Sequence, residues 1–175
     1  QEPSDKNELF HWILTLAIAV IIALCVNRFV LVNAEIPSGS MENTIMTGDR
    51  VFGNRLAYIF GEPKRFDIII FRYPDDEKQL FIKRIIGLPG ETVEIHDGQI
   101  FIDGSKTPLK DVTTKEFMQG SFGPYTVPDN CYFVMGDNRN NSKDSRYWEH
   151  TFVTDDEIVG KAFLRYWPLN KIKFL

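Results

Sequence analysis

The sequence predicts a mainly β domain, arranged as a barrel or sandwich with a small inserted lobe, that follows a single N-terminal transmembrane helix. Three observations lead to this fold class. One long apolar run, residues 9–32, precedes the rest of the chain. The segments after it are short, rich in β-branched and aromatic residues, and bounded by Gly, Pro and Asp. After residue 32 no helical period lasts longer than two turns, so strands must supply the remaining core.

The apolar run at 9–32 has the length of a membrane-spanning helix. At about 1.5 Å per residue it forms a helix roughly 36 Å long, and a bilayer core is about 30 Å thick. Trp12 is expected near one interface and Arg28 near the other. We therefore expect a tail at 1–8, an anchor at 9–32 and a globular domain at 33–175.

Two other interpretations of this run are open. A buried core helix is disfavoured because the run is apolar on every face. A cleaved signal peptide is the stronger alternative, since Val32-Asn33-Ala34 resembles a small-x-small cleavage site. The residues before the run are acidic on balance and Arg28 interrupts it, which favours a retained anchor. Lys6 and Arg28 flank the run on opposite sides, so positive charge predicts no orientation.

Five segments after the anchor are predicted to be strands. In chain order they read FDIIIFRYP, LFIKRIIGLPG, ETVEIHDGQIFIDG, CYFVMGD and IVGKAFLRYW. Within the third, apolar residues alternate on both sides of Asp97-Gly98, which is typical of a hairpin with a two-residue turn. The polar segment 104–125 lacks such a pattern, and we expect it to form the small inserted lobe of the domain.

Charge and cysteine content limit the functions that the chain can have. The formal net charge of −4 argues against a nucleic-acid-binding surface. Cys25 lies in the apolar run and Cys131 far from it, so we expect no disulfide. No Cys or His cluster has the spacing of metal ligands, so we expect neither a metal nor a cofactor.

The stretch AEIPSGSMENTIMTGD follows the apolar run directly and holds Ser38 and Ser40. It is either a polar turn or a nucleophile held near a membrane surface. A Ser-His-Asp triad would need a histidine with a carboxylate behind it, and His150 with Asp144 is the available pair. A lone histidine in a loop is more often structural or solvated, so we favour a different base.

Lys83 is the alternative base, within QLFIKRIIGLPG. A lysine accepts a proton near neutral pH only if burial lowers its pKa, so the signature is a lysine in an apolar strand. On a strand, Phe81 and Ile85 share the face of Lys83, whereas Arg84 points the other way. The competing interpretation is an edge lysine that limits aggregation, and composition alone favours it.

A third stretch, MGDNRNNSKDSR, contains no apolar residue after Met135. It is either a solvated loop or a network in which short polar side chains bond the backbone and Arg pairs with Asp. Such a network could hold a hydroxyl, for example that of Ser142, against a buried lysine amine.

Together these blocks resemble the type I signal peptidase family. IPSGSM, FIKRIIGLPGE and GDNRNNSKDSR are similar to its serine, lysine and C-terminal boxes, in the family's order and after an anchor. The resemblance covers nearly the whole chain after Leu9, and the single anchor is similar to the short form of Gram-positive bacteria. It implies a membrane-bound serine endopeptidase that removes signal peptides from exported preproteins.

The resemblance also implies roles for individual residues. Ser40 matches the nucleophile and Lys83 the general base, while Ser38 and the Ser40 amide match the donors to the oxyanion. Ser142 matches a residue that orients the lysine. Asp144 and Arg146 match a supporting ion pair, with Asp137 and Arg139 nearby. The implied apolar walls of the substrate pockets are Ile36, Met41 and Ile82. Two positions depart from the family's pattern, since Asn43 replaces a usual proline and Asn140 a frequent aspartate.

The implied partners are preproteins with small residues at positions −1 and −3 before the cleaved bond, membrane lipid and the secretion translocon. The implied location is the cytoplasmic membrane, crossed once, with the catalytic domain on the extracytoplasmic side. Two alternatives stay open: a self-cleaving Ser/Lys protease similar to the LexA-like repressors, and a non-catalytic homologue that binds preproteins.

Overall fold

The structure is a computed structural model that describes residues 5–59, 61–111 and 116–175. A helix, α1 (Asp5–Cys25), continues into a π-helical segment at Val26–Val30 and is followed by strands. The strands are β1 Leu31–Glu35, β2 Arg50–Asn54, β3 Ile68–Tyr73, β4 Asp76–Gly87, β5 Thr92–His96, β6 Gln99–Ile102, β7 Phe122–Thr126, β8 Cys131–Met135, β9 Val153–Thr154, β10 Ile158–Trp167 and β11 Lys173–Phe174. The other helical segments in the described part are short 3-10 turns at Gly39–Met41, Asp155–Glu157 and Leu169–Lys171. The mainly β prediction is therefore confirmed.

The N-terminal helix is exposed over all of its residues whose burial the structure describes, 8–25. The stretch Glu8–Val30 is long and apolar enough to cross a membrane, and none of it is buried in the molecule. Such an apolar surface needs a lipid environment or a partner, which agrees with the predicted membrane helix. The tail predicted at 1–8 lies partly outside the described residues.

The last two residues of the predicted anchor belong to the domain. Leu31 and Val32 open strand β1, and Val32 is 3% exposed within the core. Val32 pairs with Gly53, and Ala34 pairs with Val51 on β2. The small-x-small sequence Val32-Asn33-Ala34 is thus part of a paired strand, which supports its retention in the folded protein. A domain that keeps β1 whole starts at about residue 30.

The strands form two antiparallel sheets. The large sheet has the order β1-β2-β10-β3-β4-β8-β9, with β11 paired to β10, and the small one has the order β6-β5-β7. Alternate residues of the large sheet enter different core clusters: Ile70 packs with Val32 and Met41, whereas Ile69 and Phe71 pack with aromatic side chains. This alternation is expected of a sheet that is covered on both faces.

The small sheet and the segment between β6 and β7 contain the range 104–125 that was predicted to be an inserted lobe, and we refer to them as the inserted lobe. The β5–β6 hairpin turns at Asp97 and Gly98. Both residues have a positive φ, of 48° and 77°, as the two central residues of a type I′ hairpin turn do, and this agrees with the two-residue turn predicted at Asp97-Gly98. The range 104–125 contains a loop and most of β7, and 112–115 of that range lie outside the described residues, so its bounds as a lobe stay a prediction. One core cluster extends across both sheets, since Val93 and Ile95 of β5 pack with Phe133 and Met135 of β8 in the large sheet.

Candidate active site

Ser40 lies on the 3-10 turn that follows β1. Its residue is 7% exposed, and the loop that carries it closes at its base because the Ile36 amide donates to the Asp49 carbonyl (3.0 Å) and the Gly48 amide to the Ile36 carbonyl (2.8 Å). These two bonds join the two ends of the loop 36–49. The sequence that was either a polar turn or a nucleophile therefore forms a closed loop with a buried serine.

Lys83 contacts Ser40 directly. Its Nζ lies 2.8 Å from Ser40 Oγ and donates to the Ile82 carbonyl at 3.1 Å. Strand β4 runs between β3 and β8, and Lys83 is 4% exposed, so the edge-lysine interpretation is wrong. The separation of 2.8 Å permits a hydrogen bond in either direction, and a neutral amine would accept the hydroxyl proton.

Burial lowers the pKa of Lys83 from 10.5 to about 8, because the ammonium loses its hydration. The carboxylates of Asp144 and Asp137 act in the opposite direction. The ring of Phe81, whose centroid lies 5.3 Å from Nζ, also favours the charged form. Desolvation is the larger effect, and it brings the amine within reach of the pH at which a general base operates.

We expect the activity to depend on pH through this amine. Because the base must be unprotonated and its pKa is about 8, kcat/KM should rise about tenfold per pH unit below 8 and level off above it. The test is a pH profile of kcat/KM for one peptide substrate, which reports on the free enzyme. A profile that is flat between about pH 6 and pH 10 would exclude Lys83 as the base.

A groove of about 380 Å³ opens beside the Ser40–Lys83 pair. It lies between β1 with its following loop and strand β4, and its lining residues are Asn33, Ala34, Glu35, Ile36, Pro37, Ser38, Ser40, Ile70, Gln79, Leu80, Phe81, Ile82 and Lys83. Ile36 and Ile82 line this groove as expected of pocket walls. Met41 is fully buried in the core beneath the nucleophile turn and is not among the lining residues.

Ser38 lies at the same groove. Its Oγ is 3.3 Å from Ser40 Oγ, and its backbone is extended with φ −131° and ψ 157°. A hydroxyl so close to the nucleophile can donate to an oxygen bonded to the carbon that Ser40 attacks. The position is compatible with the predicted oxyanion role.

The C-terminal block forms a buried ionic network around the pair. Asp144 and Arg146 make the implied ion pair, with Nε to Oδ1 at 2.8 Å and Nη2 to Oδ2 at 2.9 Å. Asp137 instead receives two hydrogen bonds from Arg84, at 2.7 and 2.6 Å. Arg139 pairs with Asp111 of the inserted lobe. Each arginine and aspartate named in this network thus has a charged partner, as burial requires.

Ser142 is near the nucleophile but does not bond the lysine in this structure. Its Oγ is buried and has no hydrogen-bond partner among the described residues. A Cβ placed on Gly136 would lie 2.3 Å from both Ser142 Oγ and the Ser40 carbonyl, so only glycine fits between them. The role of Ser142 in orienting Lys83 stays a prediction.

Three residues of the site were given no role from the sequence. Arg84, Thr44 and Asn138 all touch the network: the Thr44 hydroxyl donates to Asp137, and Asn138 donates from its amide to the Ser40 carbonyl and from Nδ2 to the Gly39 carbonyl, both at 3.1 Å. A role for Arg84 could have been predicted, because it lies on the opposite face of the strand from Lys83, and a charge on a strand that is buried on both faces needs a partner. Thr44 lies in the resembling serine box, shortly after IPSGSM, but was given no role there, and Asn138 carried no signal of its own.

His150 takes no part in this constellation. Its ring Nδ1 lies 3.0 Å from Asp75, and its backbone amide donates to the same carboxylate. Asp144, the other member of the hypothetical triad, is bonded to Arg146. The structure therefore gives no support to a Ser-His-Asp triad.

A metal-binding group or a second cavity would be an alternative to the Ser40–Lys83 groove. Within the described residues there is no group of three or more His, Cys, Asp or Glu side chains that could hold a metal, and Cys25 and Cys131 are both free. A larger cavity of about 930 Å³, lined by Tyr58, Glu62 and Tyr132 among others, contains neither Ser40 nor Lys83. The nucleophile and base lie in the smaller groove.

The chain is similar to known signal peptidases over nearly its whole length. The family model described as signal peptidase, peptidase S26, matches residues 9–167. The chain is 38% identical to a signal peptidase I of Leptolyngbya laminosa, covering 98% of this chain and 86% of the relative. It is 40% identical to a probable signal peptidase I-1 of Synechocystis (97% and 88% covered) and 37% identical to signal peptidase I S of Bacillus subtilis (97% and 95% covered). With this match and the geometry of Ser40 and Lys83, the chain belongs to the signal peptidase family, peptidase S26.

Proposed function

We propose that this chain is a membrane-anchored serine endopeptidase that removes N-terminal signal peptides from exported preproteins by means of Ser40 and Lys83. The observation that carries the proposal is the 2.8 Å contact between Lys83 Nζ and Ser40 Oγ at the wall of an open groove. Membership of the signal peptidase family supplies the class of substrate.

The reaction follows from the positions of these groups. Neutral Lys83 takes the Ser40 proton while Oγ forms a bond to the scissile carbonyl carbon. The carbonyl oxygen gains negative charge and accepts hydrogen bonds from the Ser38 hydroxyl and the Ser40 amide. The lysine then gives its proton to the amine as the peptide bond breaks. Water attacks the resulting ester, its proton passes to Lys83, and Ser40 Oγ regains a proton on leaving.

The groove favours an extended peptide with small side chains. Ile36, in the loop after β1, and Ile82, on β4, form apolar walls of the groove, and the space of about 380 Å³ is modest for several residues of peptide. Small residues at positions −1 and −3 point to the same side of an extended chain and would face these walls. We infer that this preference selects the cleavage site.

The anchor concentrates the enzyme where its substrates are. Strand β1 follows the membrane-spanning segment directly, and the nucleophile turn follows β1. A signal peptide exposes its cleavage site shortly after its own apolar segment, so tethering both partners in one bilayer raises their effective concentration. Membrane lipid is thus one partner, and the translocon that delivers preproteins is another. We place the chain in the cytoplasmic membrane with the domain on the extracytoplasmic side.

Cleavage of a foreign preprotein tests the proposal. Full-length protein in detergent micelles should release a mature protein whose mass corresponds to a cut after the −1 residue. A matched preprotein with leucine at −1 and −3 should stay intact. Failure to cut the foreign preprotein would favour either a self-cleaving protease or a non-catalytic homologue. Covalent labelling by a serine-reactive acylating agent would then occur only in the former.

A further inference from the structure

Glu35 is the one acidic side chain among the described residues that line the groove beside Ser40. The other charged type of side chain among these lining residues is that of Lys83, which is buried and must be neutral to act as the base. The Glu35 side chain is 65% exposed. When the enzyme is ready to react, the lining therefore carries one accessible charge, and this charge is negative.

Alternation along β1 places Glu35 on the opposite side from the apolar walls of the groove. Val32 and Ile36 are buried in one core cluster, and Ala34 packs against the same cluster. Because successive side chains of an extended chain point to opposite sides, Glu35 points away from that cluster. Ile82, the apolar wall on β4, belongs to the cluster as well. Both apolar walls thus lie on one side of the groove and the carboxylate on the other.

An extended peptide in this groove would present its side chains to these two sides in turn. If residues −1 and −3 face Ile36 and Ile82, the side chain of residue −2 points to the side of Glu35. Glu35 is the last residue of β1 and precedes the turn that carries Ser40 by only a few residues. Of the positions that point to its side, −2 is the one nearest to the cleaved bond and to Ser40.

Arg50 on β2 contacts Glu35 but leaves its carboxylate accessible. Arg50 Nη2 lies 3.3 Å from Glu35 Oε2, and the arginine side chain is itself 50% exposed. An ion pair as exposed as this one is weak, because water screens both charges. Arg50 is not among the residues that line the groove, so a peptide there lies nearer to the carboxylate than to the guanidinium.

We propose that Glu35 makes the enzyme prefer a basic residue over an acidic one at position −2 of its substrate. The proposal rests on the proposed function and adds a specificity-determining residue to it. A lysine or arginine at −2 can lay its aliphatic part along the rim of the groove and place its cation near the carboxylate, whereas an acidic residue is repelled. Both interactions are present in the bound peptide and persist in the transition state, so the preference should lie in KM.

The test measures kcat and KM of the full-length protein, in micelles of an uncharged detergent, on two peptides. Both have alanine at −1 and −3, and they have either lysine or glutamate at −2. At about 10 mM salt, kcat/KM of the wild type should be roughly 3- to 10-fold higher for the lysine peptide, as expected of one attractive and one repulsive surface contact. Glu35→Gln should bring this ratio close to 1, and Glu35→Lys should invert it. Near 1 M salt the wild-type ratio should also approach 1.

Two further variants serve as controls. Arg50→Gln releases Glu35 from its ion pair, so the ratio should increase. Glu94→Gln removes a negative charge from the inserted lobe, where Glu94 contacts His96, so the ratio should stay that of the wild type. Because each ratio compares two peptides on one variant, a partial loss of folding cannot imitate the expected changes.

Three results would overturn the proposal: equal kcat/KM of the wild type for the two peptides, a ratio that Glu35→Gln leaves unchanged, or a preference that lies in kcat alone. The last of these would mean that the charge acts on Lys83 and not on the residue at −2. A wild type that cuts neither peptide would instead refute the proposed function, and this proposal with it.

Discussion

Ser40→Ala and Lys83→Met are each expected to reduce kcat/KM by about 10⁴-fold or more, and the double variant should be no worse than either single one. The two groups act in one step, since Lys83 Nζ lies 2.8 Å from Ser40 Oγ and no second base contacts that hydroxyl in the described part of the chain. Once one member is lost, the other has nothing to act on. The measurement is steady-state cleavage of one peptide by the three variants and the wild type.

Controls separate loss of chemistry from loss of folding. Lys83→Met retains most of the side-chain volume in a buried site, and it removes an ammonium whose burial is unfavourable, so Tm should not fall greatly. Lys83→Arg keeps the positive charge and cannot release its proton, so it should be as inactive as Lys83→Met. His150→Ala should stay active, because His150 contacts Asp75 and not Ser40. Substantial activity in folded Lys83→Met would refute the mechanism.

The strands and the hairpin were predictable because their information is local. Alternation around Asp97-Gly98 specified the β5–β6 turn, and apolar runs specified β3, β4 and β10. The boundary of the anchor was less predictable. Val32 is apolar in a bilayer and in a protein core alike, and only its pairing with Gly53 assigns it to β1.

The burial of Lys83 could not be deduced from its own strand. A lysine within an apolar segment is compatible with an edge strand. Whether it is buried depends on whether the strand has a neighbouring strand on both sides. Here β3 pairs with one side of β4 and β8 with the other, and β8 is distant in sequence.

The hydrogen-bond partners within the polar network could not be predicted from the sequence either. Arg84 bonds Asp137, and Asn138 bonds Ser40, across 53 and nearly a hundred residues respectively. No periodicity in the sequence relates such positions, and short polar residues in a loop look alike whether they are solvated or buried. Asn140 is an example: its side-chain Oδ1 accepts from the Gln119 amide and its Nδ2 donates to the Phe117 carbonyl, and an aspartate could not make the second of these contacts.

Ser38→Ala is expected to lower kcat by on the order of 10²–10³-fold with little change in KM. The Ser38 hydroxyl lies 3.3 Å from Ser40 Oγ at the groove, where an oxyanion would form. A donor aimed at developing charge acts mainly in the transition state, so its loss affects kcat more than the binding of the peptide. The same assay with circular dichroism to confirm folding measures this effect.

The Ser40→Ala and Ser38→Ala variants should differ in which step they lose and not only in how much activity remains. Ser40→Ala removes the atom that forms the ester and should leave no acyl-enzyme, whereas Ser38→Ala should still form one slowly. Ser38→Thr keeps a hydroxyl and should recover part of the rate. Ser121→Ala, which loses a hydroxyl that accepts a bond from the Asp97 amide in the inserted lobe, should leave kcat unchanged. If Ser38→Ala is as inactive as Ser40→Ala, or if its whole defect lies in KM, then Ser38 does not donate to the oxyanion and the hydroxyl beside the nucleophile has another role.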